Sequence, residues 1–231
     1  MIGRRTVIAV TATFAATVAL EDAHADAAKD AQAVINSANR VVRRMRASKQ
    51  GAKVTALLRA AKGGVLVVPD IIRAGLLVGG ETGNGVLLAK DAKGAWSNPC
   101  YVRSSSASYG FQAGVKRYHL LMIVINEKAI RQMAEFGAQF GTHMSLAAGD
   151  TGYDGSLINT TDALADAYSF TETDTGLFGG GSLEGTALTP RQDLNEGIFG
   201  KGVTAPQILF SGKFPPRKGS ATLREGLTVK A

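Results

Sequence analysis

The sequence predicts an α+β protein: a basic helical segment followed by a body built mainly of antiparallel strands. Three observations carry this. Glycine supplies 28 of the 231 residues while aromatic side chains make up only 6%, a balance that suits close-packed strands and turns better than a helical bundle. Apolar residues between Val34 and Met45 recur at helical spacing, and from Gly63 onward the pattern changes to that of strands. His119–Ile125 (HLLMIVI) is an unbroken apolar run, the mark of a strand buried on both faces. A hydrophobic content of 45% and this length allow one domain with an ordinary core.

The first 25 residues read as a secretory signal. Arg4 and Arg5 supply the positive start, Thr6–Leu20 an apolar run too short to span a bilayer comfortably, and Ala23-His24-Ala25 a cleavage pattern, with cutting expected after Ala25. The paired arginines also permit twin-arginine export. The alternative is a buried or membrane-anchoring helix. The leader predicts a periplasmic or exported protein, peripheral to a membrane.

Residues 26–62 form the basic amphipathic segment. Nine bases stand there against Asp26 and Asp30, so this stretch holds the whole net charge of +7. Val34, Ile35, Ala38, Val41, Val42 and Met45 trace one helical face, and Lys29, Arg40, Arg43 and Arg44 fall opposite. Acids open the segment and bases close it, as the helix dipole favours. Ser48–Gly51 interrupts the pattern, and Val54, Leu57, Leu58 and Ala61 trace a second, shorter helix. A cationic helix of this kind docks on anionic lipid, binds nucleic acid, or packs on its own domain with its charges solvated. The apolar face has neither Trp nor Phe, which favours packing with electrostatic docking over deep insertion, and export argues against nucleic acid.

Residues 63–212 read as a glycine-rich β body. Gly64–Val68 is a strand ending at Pro69-Asp70. Ala74–Lys90 reads as a hairpin turning near Thr82-Gly83-Asn84-Gly85. Trp96–Arg103 and Ser108–Val115 read as further strands, and then comes the apolar run from His119. Asn126 can cap a helix over Glu127–Phe136 with Ile130, Met133 and Ala134 inward. Phe140–Ala148, Ala167–Glu172 and Gly176–Leu188 read as strands, Phe199–Gly202 as a turn, and residues 213–231, with Pro215-Pro216, as a basic flexible tail. Gly176–Gly185 (GLFGGGSLEG) leaves a gap that a neighbouring backbone can occupy, and Glu184 on it needs a basic partner from the helices if its face is buried.

No catalytic constellation emerges. Glu184 stands where a dinucleotide fingerprint or a nucleophile elbow needs its last glycine, and Gly200-Lys201 lacks the rest of a P-loop. His119 and His143 have no second histidine at ligand spacing, so no metal is expected. Asp150–Gly155 resembles a calcium loop, but Gly152 and Thr161 stand at two ligand positions. Cys100, the single cysteine, excludes an internal disulfide and reads as a half-buried strand thiol. No enzyme and no cofactor are predicted. An undetected hydrolase would have to use His119 or His143.

Read together, the glycine blocks form an ordered series: Lys62-Gly63-Gly64-Val65, Pro69–Gly80, Gly83–Leu88, Trp96–Pro99, Gly110–Gly114, Ser145–Gly149, Ala167–Phe170 and Gly176–Gly185. This series resembles the SYLF domain family, also called the Las17-binding, actin-regulator type, over about residues 31–202. Two blocks depart: Lys116–His119 lies where members usually carry an aspartate, and Thr142-His143-Met144 replaces a common Ala-Asp pair. The resemblance implies a strongly twisted, barrel-like, mainly antiparallel sheet with helices packed outside. It further implies a non-enzymatic phospholipid-binding module, here a bacterial exported member, whose eukaryotic relatives bind phosphoinositides through a basic amphipathic segment and in some cases actin. The leader argues against actin as a partner. The expected lipid-binding residues are Lys29, Arg40, Arg43, Arg44, Arg46, Lys49 and Lys53, on an anionic phospholipid surface. The alternative is a structural or partner-binding envelope protein whose basic helix only packs on the body.

Overall fold

The structure, a computed structural model, describes residues 4–75, 78–109, 114–136, 146–148, 166–173, 176–179 and 186–229, with the side chains of the first helix described from Asp26 onward. Two helices, α1 (Arg4–Ala47) and α2 (Gly51–Ala60), precede β1 (Gly64–Gly75), β2 (Val78–Ala89), β3 (Cys100–Tyr109) and β4 (Gly114–Val124). Then come α3 (Glu127–Phe136), β5 (Leu146–Ala148), β6 (Ala167–Thr173), β7 (Gly176–Gly179) and β8 (Ala187–Pro190). Helices α4 (Gln192–Phe199), α5 (Ala205–Phe210) and α6 (Ala221–Leu227) follow. No described helix is long and apolar enough to cross a membrane.

The strands form one sheet in the order β5-β6-β4-β1-β2-β3-β8, with β7 also on β6. β5 runs parallel to Ala167–Ser169, β7 runs antiparallel to Phe170–Thr173, and every other pair is antiparallel. Among the described strands no ladder joins β8 to β5 or β7, so the sheet is open, and the expected barrel-like form is not supported. The stretch Gly176–Leu188, read as one strand, divides into β7 and β8 on opposite sides of the sheet.

Both faces of the sheet are covered, which is why its strands are continuously apolar. Val65, Val67, Val86, Leu88, Leu121 and Ile123 face α1, α2, α4 and α6. Leu66, Val68, Leu87, Leu120, Met122 and Val124 face α3 and α5. The two sets alternate along each strand, as a pleat requires. α3 is placed by its expected cap: Asn126 Oδ1 accepts the Ala129 N–H at 2.7 Å, and Ile130, Met133 and Ala134 are buried.

β1 does not end at Pro69-Asp70. It passes through a bulge there: Val67 pairs with Val86 and Ile72 with Thr82, so residues 68–71 oppose residues 83–85. On the other side, Val68 pairs with Leu120 and Ile71 with Tyr118. A bulge is where a central strand tolerates proline, which has no N–H for the ladder. Asp70 takes a left-handed backbone, φ 61°. The displaced chain presses on β2: a Cβ on Gly85 would sit 2.4 Å from the Val67 carbonyl oxygen, and one on Gly83 2.9 Å from Val68 Cγ1. Thr82–Gly85 is therefore the inside of β2 opposite a bulge, not the hairpin turn, because its glycines answer to a close approach. Likewise Trp96 makes only a lone bridge with Lys90, and β3 starts at Cys100 and runs to Tyr109.

The carboxyl-terminal segment is also corrected. In place of a flexible tail, the chain from Lys213 makes a 3-10 turn at Lys218–Ser220 and then α6, whose Leu223 and Leu227 are buried in the core with Ile35 and Val42 of α1. Asn98, itself 5% exposed, clamps the approach: its Nδ2 donates to the carbonyls of Phe214 and Pro215, and its Oδ1 accepts the Arg217 N–H at 3.0 Å.

Candidate functional site

The outer face of α1 is the strongest candidate. Ala31, Ile35, Ala38, Val42 and Met45, spaced four, three, four and three apart, are buried at 1% or less, so the apolar stripe is spent on the body. What α1 presents outward is its polar side. Lys29, Arg40 and Arg43 are exposed there, and Lys49 is exposed just beyond its end. Arg40 Nη2 donates to Ser37 Oγ at 2.8 Å, a bond along the helix that leaves the charge unneutralised.

The other three expected residues are differently engaged. Arg44 pairs with Glu172 of β6 at 3.0 Å. Arg46 donates to the carbonyls of Gly226 and Thr228, holding the end of α6. Lys53 is half-buried on α2. The structure thus brings together on the outer surface four of the seven bases, while Arg44 and Arg46 tie α1 to the rest of the fold. Glu184, His143 and the Asp150–Gly155 loop lie outside the described residues.

Sequence reasoning saw that the segment after Lys213 is basic but missed that it packs beside α1. The 3-10 turn and α6 pack on this helix, Gln32 Nε2 donating to the Gly219 carbonyl at 3.1 Å. That brings Arg217, Lys218 and Arg224 alongside residues almost 200 positions earlier. The Leu223/Leu227 spacing was the available signal for a packed helix here. A pocket of about 350 Å³ opens between Ala28, Ala31 and Gln32 of α1, Tyr101 of β3, Ile198 of α4 and residues 217–220.

The remaining candidate residues are structural. His119 is 8% exposed, and its Nδ1 accepts the Asp70 N–H at 3.2 Å, bracing the bulge. Cys100 is fully buried rather than half-buried, because both sheet faces are covered. Burial pushes its thiol up to about 12, with Asn195 beside it acting weakly the other way. Tyr101 is likewise raised to about 12 by burial, against the Arg217 charge. Asn195 of α4 makes a reciprocal pair with the Tyr101 backbone, accepting its N–H and donating to its carbonyl, both at 2.9 Å. Arg191 holds the Asp193 carboxyl below the usual carboxylate range through a 2.6 Å pair. Among the described residues no group of three His, Cys, Asp or Glu side chains is placed to hold a metal.

Fold and face define a helix-sheathed, antiparallel α+β domain that carries an exposed cationic helix. Comparison with known proteins is more specific. The chain belongs to the Ysc84 family: the family model described as "Ysc84: Las17-binding protein actin regulator" matches residues 105–229, running past Gly202 to take in α5 and α6. The chain is 32% identical over 164 residues to Protein YSC84 of Saccharomyces cerevisiae, covering 69% of this chain and 34% of the relative. It is 31% identical over 163 residues to LAS seventeen-binding protein 3 of the same yeast, covering 69% and 35%. To the SH3 domain-containing YSC84-like protein 1 of Xenopus laevis it is 32% identical over 160 residues, covering 68% and 47%. The chain therefore spans between about a third and a half of these relatives.

Proposed function

We propose that this chain is a non-enzymatic binding protein that docks on anionic phospholipid through the outward face of α1, working at a bacterial envelope membrane after export on its leader. One observation carries the reading. Lys29, Arg40, Arg43 and Lys49 project outward while the apolar stripe of the same helix is sealed in the core. Docking is therefore electrostatic and does not insert the helix. Each base near an anionic surface contributes about 1 kcal/mol, so four together give adhesion that weakens with salt.

Vesicle flotation tests this. Wild-type protein should float with vesicles containing anionic lipid and not with phosphatidylcholine alone, and should come off as salt is raised. The Arg40→Glu/Arg43→Glu/Lys49→Glu variant should stay in the soluble fraction while melting as the wild type does. The variant leaves Arg44 in place because Glu172 already holds it. Flotation that ignores lipid charge, or that survives the triple substitution, would sink the mechanism.

A second reading rests on the family description and on the relatives' names, which point to a Las17-type protein partner and to actin regulation. Those names run against setting actin aside on the strength of the leader. In this reading the cationic face meets an acidic protein surface. Co-purification of a protein partner without vesicle binding would favour it.

A further inference from the structure

We propose that the pocket between α1 and the Lys218–Ser220 turn is a phosphate-binding site that takes one phosphate monoester. Its wall is cationic: Arg217 and Lys218 line it, and among the described residues no carboxylate does. Two positive charges match the charge of about −1.5 to −2 that a phosphate monoester carries at neutral pH.

Arg217 and the Tyr101 backbone are held in place before any ligand arrives. Arg217 has its N–H on Asn98 Oδ1, its carbonyl accepting from Ser220 Oγ at 3.1 Å and from Arg224 Nη2 at 3.0 Å, and its Nη1 on the Ile198 carbonyl at 3.0 Å. Its guanidinium also lies 5.8 Å from the Phe199 ring centroid. That leaves Nε and Nη2 as donors on a guanidinium whose position is already fixed, the fork geometry that suits phosphate oxygens. Lys218 is exposed and its ammonium has no partner among the described residues. Tyr101 is 5% exposed and lines the pocket, and its hydroxyl has no hydrogen-bond partner among the described residues. Its backbone is pinned on both sides by Asn195. A volume of about 350 Å³ lies at the small end for ligand sites and accommodates a phosphate with a short ester arm. At Gly219 the turn comes close to α1: a Cβ there would stand 2.5 Å from Gln32 Oε1.

The phosphate can belong to a lipid headgroup or to a soluble ester. Only the lipid source rests on the docking proposed above, and the experiment separates the two. The full chain is titrated with inorganic phosphate and with glycerol 3-phosphate by calorimetry, sodium chloride holding ionic strength constant. The expected result is saturable one-to-one binding with a Kd of about 1 mM. Lys218→Gln and Arg217→Gln should each weaken it about tenfold, and Tyr101→Phe, which keeps the ring in the core, about fivefold. Lys128→Gln, an exposed base of α3 on the other face of the sheet, should leave it unchanged. Absence of saturation by about 20 mM, an equal response to chloride, or wild-type binding by both Lys218→Gln and Tyr101→Phe would overturn the site. Flotation then assigns the source, using vesicles of equal charge carrying phosphatidate or phosphatidylglycerol. A preference for phosphatidate that Lys218→Gln abolishes places the phosphate on a lipid. Indifference with soluble binding intact places it on a free ester. Soluble binding with no flotation at all keeps the pocket and removes the docking.

Discussion

Arg44 on α1 and Glu172 on β6 meet at 3.0 Å, and the second carboxylate oxygen of Glu172 is buried with no hydrogen-bond partner among the described residues. The pair fastens the basic helix to the edge half of the sheet. Arg44 is half-exposed, so the two partners are unequal. Removing the charge at Glu172 should cost about 1 kcal/mol, whereas Arg44→Ala strands a mostly buried carboxylate and should cost about 2 kcal/mol. Urea denaturation of the two variants checks the order. Equal costs, or a larger cost for Glu172→Gln, would refute it. Glu172→Gln should also float more readily with anionic vesicles, since it frees a base.

The bulge makes a second prediction. Gly85→Ala places a methyl 2.4 Å from a backbone oxygen that cannot step aside, so it should destabilise by about 3 kcal/mol. Gly94→Ala, in an exposed turn with no neighbour nearer than 3.9 Å, bears only its positive φ and should cost about 1 kcal/mol. Thermal melts of the pair decide whether close approach or turn conformation governs β2. A hairpin turn at Thr82–Gly85 would make Gly85→Ala no worse than Gly94→Ala.

A third concerns the two buried acids of β3. Cys100 and Tyr101 both titrate near 12 in the fold, above the ordinary thiol and phenol. Each holds its proton more tightly folded than unfolded. The stability this gives is fully present below about pH 9 and is lost as pH rises from there towards 12. Denaturation midpoints should therefore fall across that window, and Cys100→Ala should flatten the fall after its own packing loss is subtracted. In the native protein near neutral pH the thiol should resist a thiol-specific disulfide reagent, and should react fully in 6 M guanidinium, a concentration above usual unfolding midpoints at about 5 M or less.

A fourth tests α6. Leu223→Ala and Leu227→Ala remove side chains exposed by 1% or less and should each cost about 3 kcal/mol. Ending the chain at Lys213 should prevent cooperative unfolding. A flexible tail would make all three changes silent in a melt.

Much of this architecture was legible in the sequence because it is written in local pattern. The stripe from Val34 to Met45, the Asn126 cap and the apolar run of β4 each follow from spacing and one residue's chemistry. What was not legible depends on partners distant in sequence. Gly83 and Gly85 look like a turn until Pro69-Asp70 is seen to bulge against them. The segment after Lys213 looks loose because it opens with Pro215-Pro216, and its anchor, Asn98, lies more than a hundred residues earlier. Of the seven bases chosen on and between α1 and α2, charge and period found those facing outward. They gave no means of knowing that Glu172 and the α6 carbonyls would claim Arg44 and Arg46.

α6 and α1 share one core although the length of the sheet separates them along the chain. Ile35 and Val42 gain their last neighbours only when Leu223 and Leu227 arrive. During synthesis at about 5–20 residues per second, the α1 stripe must wait roughly 10–40 s for the last part of its cover. Ribosome-bound chains halted before Leu223 should therefore carry a sticky helix that a holding chaperone recognises, and release past Leu227 should silence that signal in a single step.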